Sequence, residues 1–519
     1  MKKLTIFALV AALAVGFSVV GLAAGGPDTL VIGTTDRVTQ LSPANSYDHY
    51  SWHVLRMLSD SLLQIEPKST EVGPALAKDW EVGPKAMVYT FHLREDATFT
   101  NGDPVTAEDV KWSFERACKL NGPEGGVFLV CDPIDTMEVL DKHTLKITLV
   151  EPNATFLTRV TGQVGPALIW NKNGTPADDF AKGELVGVGP YTLQKYQPNQ
   201  SVIYEAYEDY YGGAPEMKTV IELKYSNSTG LRTALEAGDI DVAFRTMNPV
   251  DLEELEKSPK FETQYTPNSP SVRYMLFNVT NEVFKDERVR RAITYAVNRN
   301  KIAEQVFSGL ANPIYTMVPK GWVGRLSTFP EQDLEKAEAL LESAGYTEDN
   351  PLDATLWFSP KHYGTTEADV AAVLQGSMNQ LDNLEVESKS LEWGAYTERM
   401  SGGGFGMFLL GWYPDYLEAS NFLEPWTTGS PEGLGTFFNH HPNYDAYKKI
   451  LNTAKSIPGP ERRGTLYEAV QILSTQDVPW IPLWANLAQA YVVYQPNVEN
   501  IFVDATMDIR IENVTKKSE

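Results

Sequence analysis

Cysteine is almost absent: 519 residues hold two, Cys118 and Cys131. With no CxxC and no nearby histidine to complete a ligand set, these two do not read as a zinc site. The signatures of catalysis are also missing. There is no GxSxG elbow, no HExxH helix and no GxGxxG turn, and the dipeptide Gly-Lys never occurs, which excludes a phosphate-binding loop and an ATPase. The glycine-rich run Gly402–Gly406 precedes the apolar residues Met407–Leu410, the wrong order for a phosphate cradle, where glycines follow a strand and open a helix. Basic residues are scarce, 44 Lys and Arg against 68 Asp and Glu, for a formal charge of −24. That balance argues against nucleic acid and anionic membrane surfaces as partners. Beyond residue 24 no apolar run is long enough to cross a membrane.

What is present begins with Met1-Lys2-Lys3 and an uncharged, mostly apolar run from Leu4 to Ala24 that ends on small residues. This is the pattern of a secretory signal peptide, with cleavage expected after Ala23 and residues 1–23 removed. The competing reading is a retained anchor, but nothing charged or aromatic marks the outer end of the run. No cysteine follows it, so the usual lipid-attachment site is missing and a secreted, periplasmic or extracellular protein is expected. Loss of Lys2 and Lys3 takes the charge from −24 to −26. In an oxidising compartment Cys118 and Cys131 are expected to form a disulfide. Closing so short a loop stabilises by roughly 3 kcal/mol in the chain-entropy model. The rest, about 495 residues, predicts two or three domains.

Local signals alternate between strands and helices, which argues α/β layers. Strands are predicted at Thr29–Gly33, Val88–Arg94, Thr144–Val150, Val220–Lys224, Asp239–Phe244 and Ala354–Phe358. Helices are predicted from Thr106, with Asp109 completing a capping box, at Thr229–Ala237 stopped by Gly238, over Asp286–Asn298, at Leu334–Ala344 between Asp333 and Gly345, at Glu367–Leu381 and at Arg462–Gln476. The run Arg288-Val-Arg-Arg291 reads as helix-surface salt bridges. His440-His441 reads as a solvated turn, and His49 with His53, four apart, lack a third metal ligand.

Five blocks in order carry a resemblance: Tyr89–Val110 (YTFHLREDATFTNGDPVTAEDV); Gly187–Leu193 with Tyr210–Pro215; Ala234–Ala243; Phe284–Ile302 with Lys336–Tyr346; and Gly411–Tyr416 (GWYPDY) with Asn421–Leu423. Together they resemble the family 5 extracellular solute-binding proteins, the oligopeptide, dipeptide and nickel-binding class of ABC importers. The resemblance implies a two-lobed α/β periplasmic-binding-protein fold with an extra subdomain and a hinge of two crossing strands. One lobe would hold residues 24–265 and 488–519, with the subdomain inserted at about 47–185. The other would hold 266–487. It also implies a monomeric receptor that is no enzyme, carries no cofactor, and delivers a peptide to a two-subunit permease with cytoplasmic ATPases. In peptide-binding members the Asp of the fifth block takes the ligand ammonium, which carries over to Asp415. Gly411, Trp412 and Tyr413 would supply backbone and aromatic contacts, and Asn45, Tyr47 and Asn278, beside strand ends, are further candidate contacts. Pro414 where a small residue is common, Ser42 where Asp is usual, and the missing Asp-Pro after Tyr416 leave an oligosaccharide or a metal chelate as the alternative ligand.

Overall fold

The computed structural model describes residues 26–120, 126–176, 185–266, 268–429, 434–487 and 491–517. The expected signal segment 1–23 lies outside them. Three sheets organise the chain. The first has seven strands, in the order 262–265, 491–494, 242–244, 29–34, 219–224, 201–206, 191–197. The second has six, in the order 311–313, 480–486, 272–277, 407–412, 352–358, 384–390. A third, antiparallel sheet of four strands spans residues 77–149.

The central strands are mostly apolar because both faces are covered. Thr29–Thr34 buries five of its six residues. One face of its sheet carries Leu231, Leu235, Leu252 and Leu255 from two helices; the other merges with the core beneath the four-stranded sheet. Val272–Phe277 is buried along its whole length, between Met407–Trp412 and Trp480–Asn486.

The helix ends follow local chemistry. Asp109 accepts from the Thr106 amide at 3.1 Å, half of the expected capping box, and Val105 and Val110 are buried beside it. Asp333 caps Leu334–Ala344, which closes on Gly345 at φ +98°. Gly238, at φ +77°, ends Ser228–Ala237. The disulfide Cys118–Cys131 is formed, with Cα atoms 5.5 Å apart.

The arginine run departs from expectation. Arg288 does pair with Asp286 at the surface, but Arg290 is fully buried. Its guanidinium donates to the carbonyls of Phe284 and Lys285 at 2.7 and 3.1 Å, and to those of Asp477 and Val478. It therefore ties the start of one helix to the end of another instead of forming a surface salt bridge. His441 is half-buried and stacks on Phe438, so the His440-His441 turn is only partly solvated.

The last residues return to the first sheet. Tyr491–Tyr494 fits between Val242–Phe244 and Glu262–Tyr265. Lys516 pairs with Asp241 at 2.8 Å, both buried, and donates to the Thr29 carbonyl. His53 is held between Asp508 and Glu222, with Arg56 on the far side of Asp508 and the Tyr50 hydroxyl on Glu222. Burial alone would lower the His53 pKa, but the two carboxylates raise it to about 10, so the ring is charged in the folded protein.

Candidate functional site

The second sheet ends at Trp412, and the chain then turns through Tyr413-Pro414-Asp415 into the short helix Ser420–Leu423. Asn421 organises this turn. Its Oδ1 accepts from the Trp412 indole at 2.7 Å and from the Asp415 amide at 3.2 Å, so one side chain fixes both. A buried Arg463–Glu418 ion pair, 2.7 Å, holds the segment from beneath.

Asp415 is 7% exposed, and no cation forms an ion pair with it among the described residues. Among the described residues its side chain accepts from the Tyr47 hydroxyl, at 3.1 Å from Oδ1, and from Asn421 Nδ2, at 3.5 Å from Oδ2. Burial raises the carboxyl pKa from 3.8 to about 6, against smaller lowering effects of Tyr47, Asn421 and the field of Arg159. Burying a carboxylate without a counter-ion is costly, and the raised pKa reflects that cost.

The two halves of the molecule meet here. Tyr47 precedes the helix His49–Leu58 of the first half and reaches Asp415 across 368 residues of chain. Tyr413 packs against the cores of both halves. Tyr416 is buried in the first core, under the Arg159 guanidinium, 4.5 Å from ring centre to Cζ. A cavity of about 380 Å³ also opens between the halves, bounded by Thr246 and Asn248 on one side and by Lys361, Tyr363, Thr365 and Asn486 on the other.

Gly411 faces Arg273 on the neighbouring strand, and a Cβ at Gly411 would overlap that guanidinium. Arg273 is 1% exposed, 3.7 Å from Glu367 and stacked 4.2 Å from Tyr363. The Gly411 carbonyl accepts from the hydroxyls of Tyr274 and Tyr363 at 3.3 and 3.2 Å, so that oxygen is committed inside the protein.

Of the candidates, Asp415, Tyr47, Trp412 and Tyr413 come together. Asn45 lies two residues from Tyr47, with a buried Oδ1 that has no hydrogen-bond partner among the described residues. Asn278 is elsewhere. It follows the Phe277 end of its strand, opposite to Val272, which faces Trp412, and its amide is used on Gly403 and Thr280. His49 and His53 hold no metal-like arrangement; among the described residues no cluster of ligands does. His49 instead donates to the Thr506 carbonyl at 2.7 Å and accepts from Arg245 at 2.9 Å. Burial, then Arg245, lowers its pKa to about 3.

Sequence reasoning missed Asn421 as organiser, Arg159 over Tyr416, and the Arg273–Glu367 pair. The one available signal was Gly411, a glycine at a strand end where only a missing side chain admits a neighbour.

Comparison with known proteins agrees with this architecture. The family model described as bacterial extracellular solute-binding proteins, family 5 Middle, matches residues 71–433. A protein of Escherichia coli K12 named probable D,D-dipeptide-binding periplasmic protein is 27% identical over 520 residues, covering 97% of this chain and 98% of its own. Heme-binding protein A of Haemophilus influenzae is 26% identical over 486 residues, covering 88% and 87%. A solved ABC transporter-associated periplasmic binding protein from Helicobacter pylori, in complex with the peptide STSA, superposes with a TM-score of 0.77 at 26% identity, covering 94% and 98% of the two chains. No helix of the described residues is long and apolar enough to cross a membrane. With its two-lobed α/β fold and a model match over most of its length, the chain belongs to the bacterial extracellular solute-binding proteins of family 5.

Proposed function

We propose that this protein is the secreted substrate-binding component of an ABC importer and that its ligand is a peptide with a free amino terminus. Residues 1–23 direct export and are removed. Residues 24–265 with 488–519 form one lobe and 266–487 the other, joined by two crossing segments. The lobes close on the ligand, and the closed monomer is what the permease recognises. The protein performs no chemistry on its cargo and needs no cofactor; the ATPases belong to the membrane partner.

The observation that carries the reading is Asp415, a buried carboxylate that forms no ion pair among the described residues, at the seam between the halves. A peptide α-ammonium supplies the missing charge and donates where Asn421 and Tyr47 leave lone pairs. Tyr47, Trp412 and Tyr413 line the position, and Asn45 offers an oxygen that has no partner among the described residues. Gly411 acts by making room for Arg273, and Asn278 stands outside the site. Relatives named for dipeptides and tripeptides support the ligand class.

The test is native mass spectrometry of the purified mature protein, followed by denaturation to identify what leaves. A ladder of small peptides is the expected result. A single sugar or metal-chelate mass would keep the two-lobed receptor and remove the peptide and the role of Asp415.

A further inference from the structure

Tyr47 does two things at once. Its hydroxyl is desolvated against Asp415, yet 42% of the residue stays exposed. Beside it Phe128 is 45% exposed, edge-to-face with the Tyr47 ring at a centroid distance of 6.0 Å. Single exposed apolar side chains need no explanation, but two adjacent aromatics extending from a buried carboxylate are not scattered surface.

Both rings are held in place. Trp52 packs edge-on against Tyr47 at 5.4 Å, and its indole donates to the Ser46 carbonyl. Gly126 lies so close that a Cβ there would sit 2.9 Å from Tyr47 Cδ2. Phe128 belongs to the short helix Gly126–Leu129, which buries its other three residues and turns only Phe128 outward. That helix lies inside the loop closed by Cys118–Cys131, and the Cys131 amide donates to Val127 at 2.7 Å. Arg159 donates to Leu129 at 3.4 Å while covering Tyr416, so the same guanidinium links the helix to the segment that carries Asp415.

We infer that Tyr47 and Phe128 form the subsite for the side chain of the ligand residue that bears the ammonium, selecting an aromatic or large apolar side chain there. The reason is adjacency: a residue whose ammonium sits on Asp415 carries its side chain one Cα away, within reach of the Tyr47 ring and of Phe128 beyond it. Edge-to-face geometry completes an aromatic cluster when a third ring enters. The disulfide is then a positioning device for Phe128 as well as a brace for the fold. This inference rests on the peptide reading above and goes beyond it by naming the selected side chain.

The test is calorimetric titration of two tripeptides, Phe-Ala-Ala and Ala-Ala-Ala, into wild type, Phe128→Ala and Asp415→Asn. Phe128 is exposed, so its truncation leaves the fold intact, which a melting curve checks. The wild type is expected to prefer Phe-Ala-Ala. Phe128→Ala is expected to weaken Phe-Ala-Ala by roughly fivefold to tenfold and Ala-Ala-Ala by less than about twofold, consistent with one lost ring contact. Asp415→Asn is expected to weaken both alike. Equal loss of both peptides in Phe128→Ala, or no loss of either, overturns the subsite and leaves the peptide reading standing. Failure of the wild type to bind either tripeptide overturns the peptide reading and the subsite with it.

Discussion

If Asp415 is the ammonium receptor, affinity must follow its ionisation. Burial raises the carboxyl pKa to about 6, and an ammonium ligand pairs only with the ionised form. The ionised fraction is about nine-tenths at pH 7 and about one in eleven at pH 5. The apparent Kd is divided by that fraction, so it should rise about tenfold between these pH values, a loss of about 1.4 kcal/mol. Among the buried histidines, burial pushes His49 down to about 3 and His362 down to about 4, while, against burial, the Asp508 and Glu222 carboxylates hold His53 up at about 10, so these three do not change charge between pH 5 and pH 7. The terminal groups of a peptide titrate at roughly 3.5 and 8. The assay is calorimetric titration of one peptide, free or N-acetylated, at half-unit steps from pH 7 to pH 5. Wild type should lose affinity for the free peptide alone, and Asp415→Asn should bind weakly with no slope. A flat wild-type profile, or the same slope in Asp415→Asn, refutes the reasoning. The empty protein should respond in the opposite sense. A carboxyl raised from 3.8 to about 6 destabilises the folded form at neutral pH by about 3 kcal/mol, and this penalty is relieved as pH falls from about 6 towards 3.8.

Other perturbations separate structural from binding roles. Gly411→Ala drives a methyl into the buried Arg273 guanidinium and should cost about 1–3 kcal/mol in urea unfolding, with Gly411→Ser at least as damaging. Reduction of Cys118–Cys131, or the double serine variant, should cost about 3 kcal/mol for a 13-residue separation, measured as a shift in the denaturation midpoint. His53 has its folded pKa raised to about 10, so its contribution to stability is complete below about 6.5 and is lost as pH climbs from there towards 10. A His53→Gln variant should flatten the fall in stability over that window, and an unchanged slope would count against the charged-ring assignment.

The elements whose ends are set by neighbours in sequence were legible. The Asp109 capping box, the Asp333 and Gly345 boundaries and the Gly238 stop need only residues within one turn. Tyr89, Phe91 and Leu93 alternate with more polar neighbours along the expected strand Val88–Arg94, and theirs is the buried face. The site was legible only as a resemblance at Gly411–Tyr416. Nothing local distinguishes Asp415 from the many other carboxylates of this acidic chain, because its character comes from burial by partners as distant as Tyr47. The arginine run misled for a related reason. Carbonyls exposed at the end of a distant helix are strong acceptors, yet they leave no mark on the sequence around Arg290. Asn278 sits beside a strand end as expected, at the end opposite the one that faces Trp412, a choice set by topology alone.

The strand Tyr491–Tyr494 fills the slot between Val242–Phe244 and Glu262–Tyr265, and the residues after it close buried ion pairs on Asp241 and His53. A chain made from its amino end therefore spends nearly all of its synthesis with an open gap in its first sheet. The second half can complete its own six strands once residue 486 is out, while the first half waits for the final stretch. That delay makes the carboxy-terminal stretch the last piece needed to complete the first half. A chain halted before Tyr491 should remain open to protease throughout residues 26–266, whatever the state of its second half.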